Sequence, residues 1–381
     1  MSEFSEMMKE RPKTVRIIGV GRAGINVAKC WRNEMGGERA DKFVAVCDWE
    51  AETLERSGVS AALKLDECKI WPGIECGAEA VEKRIDDVRE LVNANDVAVV
   101  VGLGGIFGTE AAPVIAREAK AAGASTVGVA TLPFEFDGTR CARRAMDGLR
   151  ELAANCDALF ILNNDAMQKY YGKLLVPDAM LRIDTIMSDA ADLFFDLHRR
   201  KIEPNYQNLN TKVFGIGRVG ADLVDYLCEK KYRKTLLATV KMIHASGGSD
   251  ETVELNMGTG DVSEFQLDGI TRFFSGKESR ACLVADLGEE SGISTAVITA
   301  GIARQVGAIM VGLVTLPAVS EGASKNAKVI ENLQKLVAKT DAVFAFRKDV
   351  SSIPRLALWV CDIDFEINWL IKEGRREKSD L

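Results

Sequence analysis

Val15-Arg16-Ile17-Ile18-Gly19-Val20-Gly21-Arg22-Ala23-Gly24 is the stretch from which the fold of this chain can be read. A short apolar run ends in glycine and feeds straight into a helical pattern over Ile25–Arg32. Backbone N–H groups and the positive end of a helix can then approach a phosphate with no side chain in the way. The same letters satisfy the dinucleotide pattern G-x-G-x-x-G, and Asp48 closes the next strand about where a ribose-binding acid stands. Such glycines also occur where a helix and a strand only need to pack closely. The stretch therefore points to a fold class before it points to a ligand.

Outward from it, the chain repeats itself. VRIIGVGRAGINVAKCW, from Val15, returns as TKVFGIGRVGADLVDYL, from Thr211, at an offset of 196. Gly102 to Asp165 aligns without a gap with Asp286 to Asp349 at an offset of 184, and 21 of the 64 pairs are identical. Fixed-period self-similarity of this kind is the mark of repeated structural units. In each copy apolar runs of strand length alternate with helices of about a dozen residues, the pattern of a parallel sheet covered on both faces. The expected helices include Ala80–Asn93, Ala111–Ala122, Arg140–Ala154 and a long one over Asp178–Arg199. The expected architecture is α/β: two tandem Rossmann-like three-layer domains with mostly parallel sheets. Their expected extents are 12–200 and 211–374, joined by the polar, Pro204-containing connector 201–210.

Composition narrows the function classes. With 47% hydrophobic and 28% charged residues over 381 positions, the chain has the balance of one that buries real cores. A formal net charge of −7 argues against nucleic acid or an anionic membrane as a non-specific partner. The start, MSEFSEMMKERPKTVR, has no secretory pattern, and no run approaches the roughly 18 apolar residues of a spanning helix. A cytoplasmic location is expected. The nine cysteines show no C-x-x-C pair, so neither a metal site nor a disulfide is expected. His198 and His244 stand alone, which leaves histidine-centred catalysis poorly supplied.

A second glycine turn, Gly102-Leu103-Gly104-Gly105-Ile106-Phe107-Gly108-Thr109, again links a buried strand to a helix. A dinucleotide fold does not require it. The second copy reads Asp286-Leu287-Gly288-Glu289-Glu290-Ser291-Gly292 there, and two carboxylates facing a phosphate would repel it. That copy is expected no longer to take nucleotide in the same way.

From Val15 to about Asp184 these motifs, in order, resemble the GTP-binding domain of the FtsZ/tubulin family. Asn26 stands where that family has an Asn after its first glycine turn, and Cys47–Leu54 is similar to its Asn-Thr-Asp-Ala-Gln-Ala-Leu. Gly104–Pro113 resembles its Gly-Gly-Gly-Thr-Gly-Thr-Gly-Ala-Ala-Pro, and Leu132–Gly138 its Lys-Pro-Phe-x-Phe-Glu-Gly. Asn163-Asn164-Asp165 is similar to its Pro-Asn-Asp. The resemblance implies a GTP or GDP site, with Mg as an optional companion. Its residues would be Gly21, Arg22, Ala23, Asn26, Gly104, Gly105, Ile106, Phe107, Gly108 and Thr109 around the phosphates. Asp137 would be at the ribose, and Asn164 and Asp184 at the guanine.

The departures bear on activity. Ile106 and Phe107 replace a glycine and a threonine that help cradle phosphate, and Glu110 replaces the last glycine. Cys141 stands at the family's phosphate-side arginine, with Arg140 and Arg143 near enough in sequence to substitute. The family's catalytic loop, Asn-x-Asp-x-x-Asp, and its carboxy-terminal domain find no counterpart after Arg199; no catalytic residue is assigned. The leading expectation is a guanine-nucleotide-binding protein of cytoskeletal, assembly or regulatory role with weak or absent hydrolysis. Its partners would be the nucleotide, further copies of itself or other FtsZ-like proteins. Two alternatives stand beside it: a structural scaffold with dead pockets, that is a pseudo-GTPase, and an NAD-binding oxidoreductase built on Gly19–Gly24 and Asp48.

Overall fold

Short β-branched runs and glycine turns at regular spacing build the sheets. The computed structural model describes residues 15–34, 42–48, 50–59, 61–65, 76–197, 206, 210–232, 237–240, 252–253, 264–275, 279–318, 321, 323–348, 351–361 and 363. The chain divides into two compact units, one ending at Arg199 and one starting at Arg200. Of the expected connector 201–210 only 206 and 210 are described, and the expected ends 12–14 and 364–374 lie outside the described residues.

Unit 1 contains strands β1 (Val15–Val20), β2 (Lys42–Asp48), β3 (Ala61–Lys64), β4 (Asp96–Gly102), β5 (Ser125–Leu132) and β6 (Ala158–Asn163). They pair in the order β3-β2-β1-β4-β5-β6, and every pairing is parallel. β1 is buried along its whole length, which is why it is apolar throughout rather than alternating. Helices α1 (Gly21–Glu34), α2 (Ala51–Ser57), α3 (Cys76–Lys83), α4 (Ile85–Val92), α5 (Ile106–Ala121), α6 (Thr139–Asn155), α7 (Asn164–Tyr171) and α8 (Val176–Leu197) connect or follow them. Right-handed crossovers that leave β1 towards β3 and β4 towards β6 put their helices on opposite faces, giving three layers. In keeping with this, α8 packs on α1, whereas α3, α4 and α6 pack on α5.

Three expected helices differ from the observed ones; the one expected over Ile25–Arg32 runs over Gly21–Glu34, starting in the glycine turn itself. The expected Ala80–Asn93 is broken at Arg84, whose backbone leaves the helical region (φ −118°, ψ 30°). Its guanidinium bonds Asp87 Oδ2 at 2.6 Å and the Lys64 carbonyl at 3.1 Å, tying the break to the end of β3. The helix expected from Ala111 starts at Ile106, because Gly105 adopts an extended N-cap conformation directly after the turn.

Gly24 is a packing glycine: a methyl group there would stand 2.1 Å from the Val100 carbonyl oxygen of β4. Arg16, on β1, is a buried cation with a structural task. Its Nη1 donates to the Glu90 and Leu91 carbonyls at the end of α4, the latter at 2.8 Å. Burial pulls its pKa down to about 10, with Glu90 acting in the opposite direction, so it stays charged at neutral pH. Arg16→Ala is expected to cost about 2 kcal/mol of unfolding free energy, since it removes a buried charged donor from the Leu91 carbonyl and leaves the Glu90 carbonyl only its bond from Asn93 N. Urea denaturation of the full chain measures this as a lowered midpoint.

Unit 2 has strands β7 (Lys212–Ile216), β8 (Leu237–Val240), β9 (Thr252–Val253), β10 (Arg280–Asp286), β11 (Ile309–Leu316) and β12 (Ala342–Arg347). Their order is β9-β8-β7-β10-β11-β12, again all parallel. Helices α9 (Gly217–Glu229), α10 (Glu264–Phe274), α11 (Glu290–Gln305) and α12 (Ala323–Val337) are followed by a helical stretch over 353–361. Hydrogen bonds recur between the units at the offsets read in the sequence. The Asp157 carboxylate accepts from Thr126 N at 3.0 Å, as the Asp341 carboxylate does from Met310 N at 2.7 Å. Lys212 Nζ bonds the Phe273 and Ser275 carbonyls at the end of α10, the task Arg16 performs at the end of α4. No helix among the described residues is long and apolar enough to cross a membrane.

Candidate functional site

The strand order of unit 1 reverses between β1 and β4, and in open parallel sheets the crevice at such a point, outside the carboxyl ends of the strands, is where ligands bind. A pocket of about 720 Å³ lies there, a size suited to a nucleotide. One wall is the β1–α1 turn, with Gly21, Arg22 and Ala23; another is the β4–α5 turn, with Gly104, Gly105, Ile106, Phe107 and Gly108. Pro133, Phe134, Phe136 and Asp137 come from the loop after β5, Asn164 from the start of α7, and Val176 and Met180 from α8.

The two glycine turns bring two helix N-termini to one cavity. Gly21 (φ +69°) and Gly104 (φ +108°) both hold backbone conformations that side chains rarely adopt. A Cβ on Gly21 would lie 3.3 Å from Gly108 Cα, so the two turns abut, whereas a Cβ on Gly105 would enter open space. No side chain caps α5 and neither α1 nor α5 has an acidic residue in its first turn. The positive ends of both helices converge on the cavity, an arrangement suited to an anion.

At the other end the site is hungry for a hydrogen-bond donor. Asn164 is 6% exposed and its Oδ1 is buried with no hydrogen-bond partner. Its neighbour Asn163, not Asn164, caps α7 by accepting from Asp165 N at 3.1 Å. A buried unpaired amide oxygen costs free energy unless something supplies a donor. Asp137 sits exposed at the rim, its Oδ2 accepting from Phe134 N at 2.9 Å and so closing the turn that carries the stacked rings of Phe134 and Phe136.

Ten of the thirteen expected residues line the pocket; Asn26, Thr109 and Asp184 do not. Asn26 is exposed on α1, one turn beyond Arg22. Thr109 is turned inward, and its Oγ1 accepts from Gly104 N at 2.9 Å, bracing the second turn from behind. Asp184 is buried on α8, one turn beyond Met180 on the stripe that includes Val176. Burial pushes its pKa up to about 7, with no charged neighbour contributing. Phe107, whose bulk replaces a threonine, lines the pocket; its side chain is 7% exposed and its ring lies towards the Gly21 turn.

Three residues take roles that sequence reasoning did not assign. Arg144, rather than the exposed Arg140 or Arg143, reaches the glycine turn, with Nη1 donating to the Gly104 carbonyl at 2.8 Å. Its i, i+3 spacing from Cys141 on α6 was the available signal. Glu110 accepts from Gly77 N at 2.8 Å at the start of α3, so a carboxylate at this position joins two helices of unit 1. Arg22 is engaged at the rim by Glu50 at 3.2 Å, an exposed pair of small worth that a phosphate could displace. The Glu50 carboxyl is held below its ordinary range by hydrogen bonds from Thr53 and then Arg22.

Residues 14–172 match the tubulin/FtsZ family, GTPase domain. Among curated relatives, the cell division protein FtsZ of Porphyromonas gingivalis is 33% identical over 190 residues, 48% of this chain and 41% of that protein. The FtsZ of Aquifex aeolicus is 34% identical over 187 residues, 47% of this chain and 50% of that protein. The chain thus spans about half the length of the curated relatives it matches or less. Among solved structures, an empty FtsZ dimer of M. jannaschii aligns over 54% of this chain and 61% of its own, at 25% identity and a TM-score of 0.44.

Proposed function

We propose, with the tubulin/FtsZ GTPase-domain match over residues 14–172 as premise, that unit 1 binds one guanine nucleotide, GTP or GDP, in this pocket. The protein would act as a cytoskeletal, assembly or regulatory member of that group with slow or absent hydrolysis. The observation that carries the reading is the orphaned Asn164 Oδ1 at one end of a cavity whose other end gathers two helix N-termini with no acidic residue in their first turns. A purine with donor groups on its edge satisfies the first and a phosphate chain the second. Guanine presents two adjacent donors, N1–H and the exocyclic amine, which an ionised carboxylate can accept together. Asp184 is the residue for that task, and Met180, unbranched and flexible, is the side chain that would yield to it.

The phosphates would lie against the N–H groups following Gly21 and Gly105, with Arg144 and Thr109 holding the second turn in shape. Asp137 would receive the ribose hydroxyls. Mg²⁺, if carried in with the phosphates, would find the Asp48 and Glu50 carboxylates on the pocket wall, and its contribution would be to neutralise phosphate charge. Slow turnover follows from chemistry: activating water needs a carboxylate within hydrogen-bond reach, and the Asn-x-Asp-x-x-Asp pattern occurs nowhere in the sequence. Unit 2 would be a degenerate tandem copy of the same domain, a reading supported by the repeated strand order and by the hydrogen bonds that recur between the units.

Released-nucleotide chromatography of the purified protein, followed by calorimetric titration with GTP, GDP, ATP and NAD, tests this. Guanine nucleotides alone should bind, at one per chain. Preference for NAD would transfer the site to the Asp48 reading, and binding of none would leave a structural scaffold. A chemical probe adds a second check. Cys141 lines the pocket and is half-buried, whereas Cys228 belongs to unit 2. Saturating GDP should slow maleimide labelling of Cys141 about tenfold and leave Cys228 unchanged, as read by peptide mass spectrometry.

A further inference from the structure

Cys141 is a pocket residue to which neither the fold nor the nucleotide reading gives a task. Among the described cysteines, Cys47 and Cys282 lie within strands, where burial pushes their thiols well above the ordinary range, and Cys156 and Cys361 are buried as well. Cys30, Cys141 and Cys228 are half-buried, and of these Cys141 alone lines the cavity. It stands in the first turn of α6, which begins without a side-chain cap or an acidic residue. Its carbonyl oxygen is 3.4 Å from the place a Cβ on Gly104 would take, so it lies against the second glycine turn, beside the start of α5. Arg140 and Arg143 flank it, both exposed, and Arg144 holds the Gly104 carbonyl. Of the carboxylates on the pocket wall, Glu50 is bonded by Arg22 and Thr53, and Asp137 by Phe134 N. Independently, the buried and unpartnered Asn164 Oδ1 calls for a donor in the same cavity.

We infer that Cys141 is a modification site for small disulfides that carry carboxylates, of the glutathione class, and that the adduct competes with a nucleotide for this cavity. The competition rests on the nucleotide reading of unit 1; the modification does not. An occupant anchored at Cys141 meets both demands of the cavity. Its carboxylates suit the positive ends of the helices, and its N–H groups are donors for Asn164 Oδ1. A cavity of about 720 Å³ has room for a tripeptide. The step is thiol–disulfide exchange. The Cys141 thiol gives its proton to water and its sulfur attacks one sulfur of the reagent; the new Sγ–S bond forms as the reagent's S–S bond breaks. The second half leaves as a thiolate and takes up a proton. Cys141 is oxidised and the departing half reduced by the same two electrons, with no further oxidant, and a dithiol reverses the step by the same route. The flanking arginines and the helix ends attract an anionic reagent and repel a cationic one that has the same reactive bond.

The test incubates the full chain with glutathione disulfide and, in parallel, with cystamine, whose S–S bond lies between ammonium groups, and reads each cysteine by peptide mass spectrometry. Glutathione disulfide should modify Cys141 about tenfold faster than Cys228, and cystamine should abolish or reverse that preference. No adduct on Cys141, or the same preference with both reagents, would overturn the modification site. Calorimetry with GDP then reads the competition. Binding should be lost in the modified protein and return with dithiothreitol, and disulfide treatment of Cys141→Ser should leave that variant's affinity where it was. Undiminished GDP binding by the modified protein, or loss of binding on treating Cys141→Ser, would overturn the competition. An untreated chain that binds no guanine nucleotide would instead speak against the reading of unit 1, and the comparison of the two reagents would still decide the modification site.

Discussion

Asn164→Ala is expected to weaken guanine-nucleotide binding about a hundredfold and to leave the empty protein as stable as before, or slightly more so. The two signs come from one fact. Asn164 Oδ1 is buried without a partner, so in the empty fold the amide contributes a desolvation penalty and no compensating bond. Replacing it by a methyl removes that penalty, on the order of 1 kcal/mol. The capping of α7 is untouched, because Asn163 supplies it. With nucleotide present the same truncation leaves a buried purine donor unpaired, a loss of about 2–3 kcal/mol, which is the hundredfold. Calorimetry with GDP and thermal unfolding of the empty protein check the two halves. A variant that melts much lower with unchanged affinity would mean that Asn164 is a structural residue.

Binding of GDP is expected to strengthen about tenfold between pH 6 and pH 8, and this dependence should disappear in Asp184→Asn. The Asp184 carboxyl is pushed up to about 7 by burial, so near neutrality half the molecules carry it protonated. Guanine offers donors, which favour the ionised form, and binding must then release the proton. Below the raised pKa each pH unit weakens binding about tenfold, and above it the effect levels off. The stability of the empty fold runs the other way. The folded state holds the proton from about pH 4, where the unfolded carboxyl loses it, up to about pH 7. Unfolding free energy therefore falls as pH rises through that window and is flat above it. Titrations at fixed ionic strength in buffers of different ionisation heat count the released proton directly. A pH-independent affinity would place Asp184 outside the ligand's reach, as a buried residue of α8 behind Met180.

Legibility in the sequence varied with how local the determining physics was. Both glycine turns, five of the six strands of unit 1, all but the short β3, and the long helix α8 follow from periodicity and turn chemistry within a few residues. The early start of α5 and the break at Arg84 were not legible: the first depends on the extended backbone that Gly105 adopts, which its residue type leaves open, and the second on the Lys64 carbonyl at the end of β3. Among site residues the family resemblance marked the segments well and the side-chain directions less so. Thr109 and Phe107 share a loop with Gly108, yet Thr109 turns inward to Gly104 N and the Phe107 ring packs towards Gly21. Arg144, and not its neighbour Arg143, meets the Gly104 carbonyl because only one face of α6 is turned to that loop.

The sequence by itself determined that this chain is α/β, that one pattern occurs twice in it, and that glycine turns stand between strand and helix at two places in each copy. These are properties of period and offset, and they need no knowledge of what lies across the sheet. Only the tertiary structure decided which groups share a cavity. Asn164 was left without a donor, Asp184 lost its water, and Cys141 came to lie beside the Gly104 turn, each because segments distant in the chain were packed together. Desolvation and close approach depend on all the surrounding elements at once, and no local pattern encodes them.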